Sequence, residues 1–256
     1  MSCGKISIVG IGPGNFLDMT ERAKNAIESA EIISGYKTYL KLIEKILVGK
    51  KIIATEMMQE VERAKISVDE ARKGSKVAVI SSGDAGVYGM AGLVIETILN
   101  LPKENQPEFE VIAGISAVNS AAAILGAPLM HDFAVISLSD LLTDWDLRKK
   151  RVKCAAEGDF VIALYNPKSR RRVKNIEEVQ KILLEFREKN TPVGIVTNAG
   201  RADEKKIIST LENFLSEEIN MFSLVLIGNS KTFVKNNFMI TPRGYEEKYF
   251  LEGEKS

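Results

Sequence analysis

The chain has 256 residues, 45% of them hydrophobic and 27% charged, with a formal net charge of +1. This is an ordinary globular composition, long for one core and typical of two modest ones; the near-zero charge argues against a nucleic-acid partner, and no apolar run reaches the roughly 18 residues of a membrane span. No charged stretch followed by a long apolar one opens the chain, so no secretory signal is expected, and two cysteines without a CxxC pair point to free thiols in a reducing cytoplasm. With one histidine, His131, and no His/Cys cluster, no protein-bound metal is expected.

Residues 5–9, KISIV, are a short β-branched run ending in glycines and read as a strand. GIGPGN follows, then a helical pattern from residue 20 to about 33. Ala23, Ala26, Ile27 and Ala30 share one face of it, and Thr20 can cap it. KIIA (51–54) reads as a second strand, and 56–73 as a charged amphipathic helix stopped by Gly74. KVAVIS (76–81) is a buried strand running into SGDAGVYGM. An apolar helix over 90–101 ends before Pro102, FEVIAG (109–114) is another strand, and ISAVNSAAAILG another helix.

Strands alternating with helices imply a mostly parallel sheet in an α/β domain. The second half repeats the theme less regularly. FAVIS, FVIALY, PVGIVT and SLVLIG read as strands, 176–189 as a helix, and KIISTL as an edge or hairpin strand. The expected fold is α/β in two domains, 1–125 and 126–256, each a mixed sheet flanked by helices. The polar tail after Tyr249 is expected to fray.

GIGPGN does not fit the dinucleotide pattern G-x-G-x-x-G, because Asn15 stands where the third glycine belongs. Pro13 also removes an amide that could donate to a pyrophosphate. Gly10, Gly12 and Gly14 still allow a sharp turn and close approach to a ligand, so the loop is either a plain strand–helix turn or part of a site. SGDAGVYGM is a second glycine-rich strand end. There Asp84 either stabilises a turn or meets a ligand. AGISA (113–117) is a third. Ligands of open α/β sheets bind beyond the carboxyl ends of strands. Three such ends rich in small residues suit a flat, largely uncharged ligand better than a triphosphate.

In ALYNPKSRRRVKN (163–175) an apolar run gives way to Lys168, Arg170, Arg171, Arg172 and Lys174, five cations within seven positions. Such a run is often only a solvated helix start. An RNA-binding role has weaker support, since the segment has little interleaved aromatic character.

These segments resemble the tetrapyrrole methylases, which transfer a methyl group from S-adenosylmethionine. The resemblance runs from about Lys5 to Arg243. It rests on VGIGPGN with MTERAKNAIESAEIISGY, then SGDAGVYGM, then AGISAVNSAAAILGAPL. GYKTYLKLI, GAPLMHDFAVISLSDLLT and DFVIALYNPKSRRR are similar to the subfamily that methylates C-17 of precorrin-3B or cobalt-factor III, with ring contraction, in cobalamin biosynthesis. Ala85 departs from the proline that many family members carry after the aspartate.

The resemblance implies a two-domain fold, usually a homodimer, with the methyl donor held in a cleft between the domains. It places Ile11, Pro13, Gly83, Asp84, Val87, Ser116, Ala117, Tyr165, Asn166, Ala199 and Gly200 around the donor, with the Pro242 region as a further contact. It also implies a substrate edged with acetates and propionates, for which Lys168, Arg170, Arg171 and Arg201 are the expected cations, with Arg172, Lys37 and Arg243 as further candidates. Ring contraction needs proton transfers. His131 and Asp132 are candidates, against a structural role for a lone turn histidine, and Tyr36, Tyr39 and Tyr88 are alternatives. Other readings are methylation at a different ring carbon or of uroporphyrinogen, and a non-catalytic donor-binding or RNA-binding module.

Overall fold

A computed structural model describes residues 3–169 and 172–245. Two expected substrate contacts, Arg170 and Arg171, lie outside the described residues. The chain divides into two compact units, Met1–Ser120 and Ala121–Ser256.

The first unit runs β1 (Lys5–Gly10), α1 (Glu21–Ser29), β2 (Ile32–Tyr36), α2 (Lys37–Leu42), β3 (Lys51–Thr55), α3 (Glu60–Arg72), β4 (Lys76–Ser81), α4 (Ala91–Leu99) and β5 (Glu108–Ile112). Its strands pair in the order β3-β2-β4-β1-β5. Every pairing is parallel, so this sheet is not mixed. Side chains alternate between its faces. Ile6, Ile8, Val77 and Val79 meet α3 and α4 through Ala64, Val68, Val94 and Ile98. Val9, Ala78 and Ile80 meet α1 through Ala23 and Ile27 on the other face. Burial on both faces explains why β1 and β4 read as continuous apolar runs.

The helix expected over 20–33 is shorter. Thr20 caps it as foreseen, its side chain accepting from the Ala23 N–H. The chain becomes extended at Ala30, and Ile32–Tyr36 pairs on both sides, with β3 and with β4. Two isoleucines offered to two open strand edges outweigh continuation of a helical pattern.

α5 (Ala117–Leu125) leads into the second unit: β6 (Gly126–Ala127), β7 (Phe133–Ser137), α6 (Trp145–Glu157), β8 (Val161–Tyr165), α7 (Lys174–Leu184), β9 (Pro192–Thr197), β10 (Lys205–Thr210), β11 (Ser223–Ile227), β12 (Phe233–Lys235) and β13 (Phe238–Ile240). The main sheet, β10-β9-β11-β8-β7, is mixed: β7 and β8 are parallel and the other pairings antiparallel. β12, β13 and β6 form a separate small sheet. The sequence pattern did not foresee α6. Its buried stripe holds only Val152, Ala155, Ala156 and the guanidinium-bearing Arg148, so no apolar periodicity announces it. Asp144 caps it, accepting from the Asp146 and Leu147 amides.

Edge strand β5 is tied to its neighbours by Glu110. Oε1 meets Lys5 Nζ at 2.8 Å and the Ser7 hydroxyl at 3.0 Å, while Oε2 accepts from Arg22 Nη2 at 2.8 Å. The hydrogen bonds from Lys5 and Arg22 outweigh partial burial and hold the Glu110 carboxyl down at about 2, from an ordinary 4.5. The folded value lies below the unfolded one, so this stabilisation is complete above pH 4.5 and disappears as pH falls toward 2. Glu110→Gln is therefore expected to lower the urea unfolding midpoint at pH 7, with the gap to wild type closing between pH 4.5 and 2. A gap independent of pH contradicts this assignment.

Candidate functional site

Because β4, β1 and β5 are adjacent and parallel, their carboxyl ends meet at one edge of the first sheet. β1 leads through α1 to β2 on one side, while β4 leads through α4 to β5 on the other. This reversal of winding opens a crevice at the strand ends. The three loops that follow are locked together by backbone. The Ile11 N–H donates to the Ser81 carbonyl at 3.0 Å. Gly12 and Gly83 exchange hydrogen bonds of 3.1 and 2.8 Å. Both lie in the left-handed region, φ +73° and +67°, where glycine carries no steric penalty.

Side chains are excluded where these loops cross. A Cβ on Gly10 would sit 2.6 Å from the Gly83 carbonyl oxygen, and one on Gly114 would sit 2.2 Å from that same oxygen. Asp84 completes the junction: Oδ1 accepts from the Gly86 N–H at 2.7 Å and Oδ2 from the Gly114 N–H at 3.0 Å. Its carboxylate thus spans two loops, a role larger than that of a local turn. Asn15 also finds its reason, since its Oδ1 accepts from the Asp18 N–H at 2.9 Å and stabilises the turn where a dinucleotide loop carries glycine.

The strand ends bring Ile11, Pro13, Gly83, Asp84, Val87, Ser116 and Ala117 to one sheet edge. Ile11 and Pro13 are buried, Ser116 and Ala117 half-buried at the start of α5, and Val87 exposed at the loop tip. The loops 10–19, 82–90 and 113–117 contain Asp18 and Asp84 and neither lysine nor arginine. Sequence reasoning missed Arg63. It is buried on α3, donating Nε to Thr55 Oγ1 at 2.5 Å, Nη2 to the Glu56 carbonyl at 3.1 Å and Nη1 toward Met90 Sδ at 3.5 Å. Burial lowers its pKa, countered by Glu60 and by Tyr39 and Tyr36. It braces the end of the 82–90 loop, and a single Arg in a charged helix carries no signal of that.

In the second unit, β11 runs antiparallel to both β8 and β9, so β7, β8 and β9 all point the same way. Their carboxyl ends carry Leu138–Asp140, Tyr165–Lys168 and Asn198–Arg201 along one edge. Asn166 has φ +49° and donates Nδ2 to Ser137 Oγ at 3.0 Å. Arg172 reaches Asp140 Oδ1 at 3.4 Å and the Asn166 carbonyl at 3.1 Å. Partial burial alone would raise the Asp140 pKa. Its backbone N–H, the Asn175 amide and Arg172 outweigh that and hold it below the ordinary value. Beyond β9, Gly200 has φ +72° and gives its N–H to Glu204 at 2.7 Å, while Arg201 stacks over the Phe222 ring, 5.9 Å from its centroid.

His131 and Asp132 stand elsewhere. They precede β7, and the Asp132 carbonyl accepts from Val161, the first residue of β8. They therefore lie at the opposite end of that strand pair from Tyr165, a separation of roughly 15 Å at 3.3 Å per residue. Both are exposed, and His131 Nδ1 accepts the Asp132 N–H at 2.8 Å. Lys37 pairs with Glu56, and Arg243 is exposed.

A family model of the tetrapyrrole (corrin/porphyrin) methylases matches residues 5–215. The chain belongs to that family. It is 52% identical to the "Cobalt-factor III methyltransferase" of Priestia megaterium over 97% of its own length and 46% of that protein's, so it spans about half of this relative. To the "Probable cobalt-factor III C(17)-methyltransferase" of Salmonella typhimurium it is 47% identical, covering 94% of this chain and 99% of that one. The crystal structure of the methyltransferase CobJ superposes with a TM-score of 0.88 at 33% identity, over 93% of this chain and 100% of the other.

The glycine junction of this tetrapyrrole methylase is directly testable. Gly114→Ala forces backbone apart and is expected to destabilise by about 1–3 kcal/mol. Gly92→Ala, on the exposed face of α4 with nothing within 4 Å of its Cβ, is expected to be neutral or to stabilise by up to about 1 kcal/mol. Chemical denaturation of both variants checks the contrast. Equal effects would contradict the crowding at Gly114.

Proposed function

We propose that the chain is the S-adenosylmethionine-dependent methyltransferase that acts at C-17 of cobalt-factor III, with ring contraction, in cobalamin biosynthesis. The observation that carries this reading is identity of 52% and 47% with two relatives named for that substrate, over 97% and 94% of this chain.

The first unit's strand ends fit the donor. A sulfonium is a cation, and the three loops there offer two carboxylates, backbone carbonyls and no basic side chain. A phosphate-bearing cofactor would find the opposite of what it needs. When bound, the donor supplies a methyl group made electrophilic by its sulfonium. Ile11, Pro13, Gly83, Asp84, Val87, Ser116 and Ala117 hold it, and Tyr165, Asn166, Ala199 and Gly200 keep the donor-contact role that the family resemblance gives them. Lys168, Arg170, Arg171 and Arg201 bind the carboxylates of the macrocycle.

The accepting carbon of a reduced tetrapyrrole is already electron-rich, so the chain needs no strong nucleophile of its own. Its work is alignment, which in favourable cases lowers a barrier by about 7–11 kcal/mol. A junction built from backbone hydrogen bonds and crowded glycines is suited to that task, because it leaves little freedom for the loops to drift.

The test is incubation with S-adenosylmethionine and, in parallel, cobalt-factor III and metal-free precorrin-3B. The expected product carries one added methyl at C-17 and a contracted ring, formed faster from the cobalt substrate. Methylation at another carbon, seen by NMR, or none at all, contradicts the reading. Asp84→Ala is expected to weaken donor binding about tenfold, roughly 1.4 kcal/mol, by calorimetry. An unchanged dissociation constant would remove Asp84 from the donor site.

A further inference from the structure

The segment 138–143 of the second unit is fastened at every side but its tip. Buried Arg148 donates Nη1 to the Ser137 carbonyl and Nε to the Thr143 carbonyl at 3.4 Å, gripping both bases of the loop. The Leu138 N–H donates to the Tyr165 carbonyl at 2.9 Å, and Asn175 Nδ2 to the Leu138 carbonyl at 3.1 Å. Arg172, its side chain only 13% exposed, links Asp140 to the Asn166 carbonyl of the neighbouring strand end. Yet Leu141 is 66% exposed and Leu142 97% exposed at the tip. Each forgoes much of the stabilisation that burying a leucine brings, on a loop whose backbone is already anchored. Fixed apolar side chains held in water are the mark of a preorganised contact.

We propose that Leu141, Leu142 and Lys168 form a substrate platform. The leucines meet the apolar face of the tetrapyrrole, the ammonium meets a peripheral carboxylate, and Arg172 is a positioning residue that holds the two loops together. This rests on the methyltransferase reading above. Three features favour a macrocycle over a second copy of this chain. The loops lie at the carboxyl ends of parallel β7 and β8, where α/β sheets take ligands. Arg172 is neutralised by Asp140, whereas Lys168, half-buried on the facing loop, makes no ion pair among the described residues. A two-fold contact would also set the patch against itself, bringing Lys168 against its own like charge.

The experiment compares wild type, the double variant Leu141→Ser/Leu142→Ser, Arg172→Gln, and the triple combination. It measures steady-state kinetics on cobalt-factor III, donor affinity by calorimetry, and sedimentation. The double variant is expected to raise KM for the tetrapyrrole at least tenfold, with donor affinity and thermal midpoint unchanged. Arg172→Gln is expected to raise KM alone, and to add little in the triple variant. A purely structural arginine would give additive effects. An active wild type with an unchanged KM in the double variant overturns the platform and leaves the methyltransferase standing. So does a KM rise that tracks dissociation of an oligomer, which assigns the leucines to a second copy. A wild type that does not methylate cobalt-factor III overturns the function itself and this inference with it.

Discussion

Three backbones crossing without side chains is the constraint on which the first unit depends. Gly10, Gly83 and Gly114 approach so closely that a Cβ on Gly10 or Gly114 would lie 2.6 or 2.2 Å from the Gly83 carbonyl oxygen. That proximity lets Gly12 and Gly83 bridge loops from different strands, and it lets one carboxylate, Asp84, take an amide from its own loop and another from the loop after β5. The central position of β1 makes the junction possible. With β4 on one side and β5 on the other, it delivers its glycine end between theirs. The wholly parallel sheet, its central strands β1 and β4 buried on both faces, fixes all three ends at one level.

The second consequence is electrostatic. Lysine and arginine are absent from the three strand-end loops of the first unit, whereas in the sequence after β8 five cations fall within seven positions. A nearly neutral chain thus carries two different chemical environments, one in each unit, the first free of basic side chains and the second rich in them. Within the basic loop the cations differ in use. Arg172 meets Asp140 and a carbonyl, while Lys168 makes no ion pair among the described residues. Counting charges in the sequence does not reveal that division of labour; the hydrogen bonds do.

Much of this was legible in the residues. The buried strands β1 and β4 announce themselves as β-branched runs leading into glycine-rich loops, and the three small-residue strand ends mark the edge of the candidate site. Other parts were hidden for physical reasons. β2 follows a helix without a glycine or proline break, and only pairing with two neighbours makes Ile32–Tyr36 extended. α6 buries an arginine and small residues, so its pattern looks like solvent. The joint action of Asp84 on Gly114, 30 residues away, has no local signature. His131 stood out because an imidazole titrates near neutral pH; strand register puts it at the far end of β7 from Tyr165, which no local sequence pattern reveals.

The proposed function turns on the glycine junction of the first unit cradling the methyl donor. Amide hydrogen exchange with and without S-adenosylhomocysteine tests it most directly, because it reads each loop separately and needs no turnover. Slowed exchange is expected in 10–19, 82–90 and 113–117 together, at ligand concentrations that saturate binding. Tight binding that leaves the exchange of all three loops unaltered would contradict it.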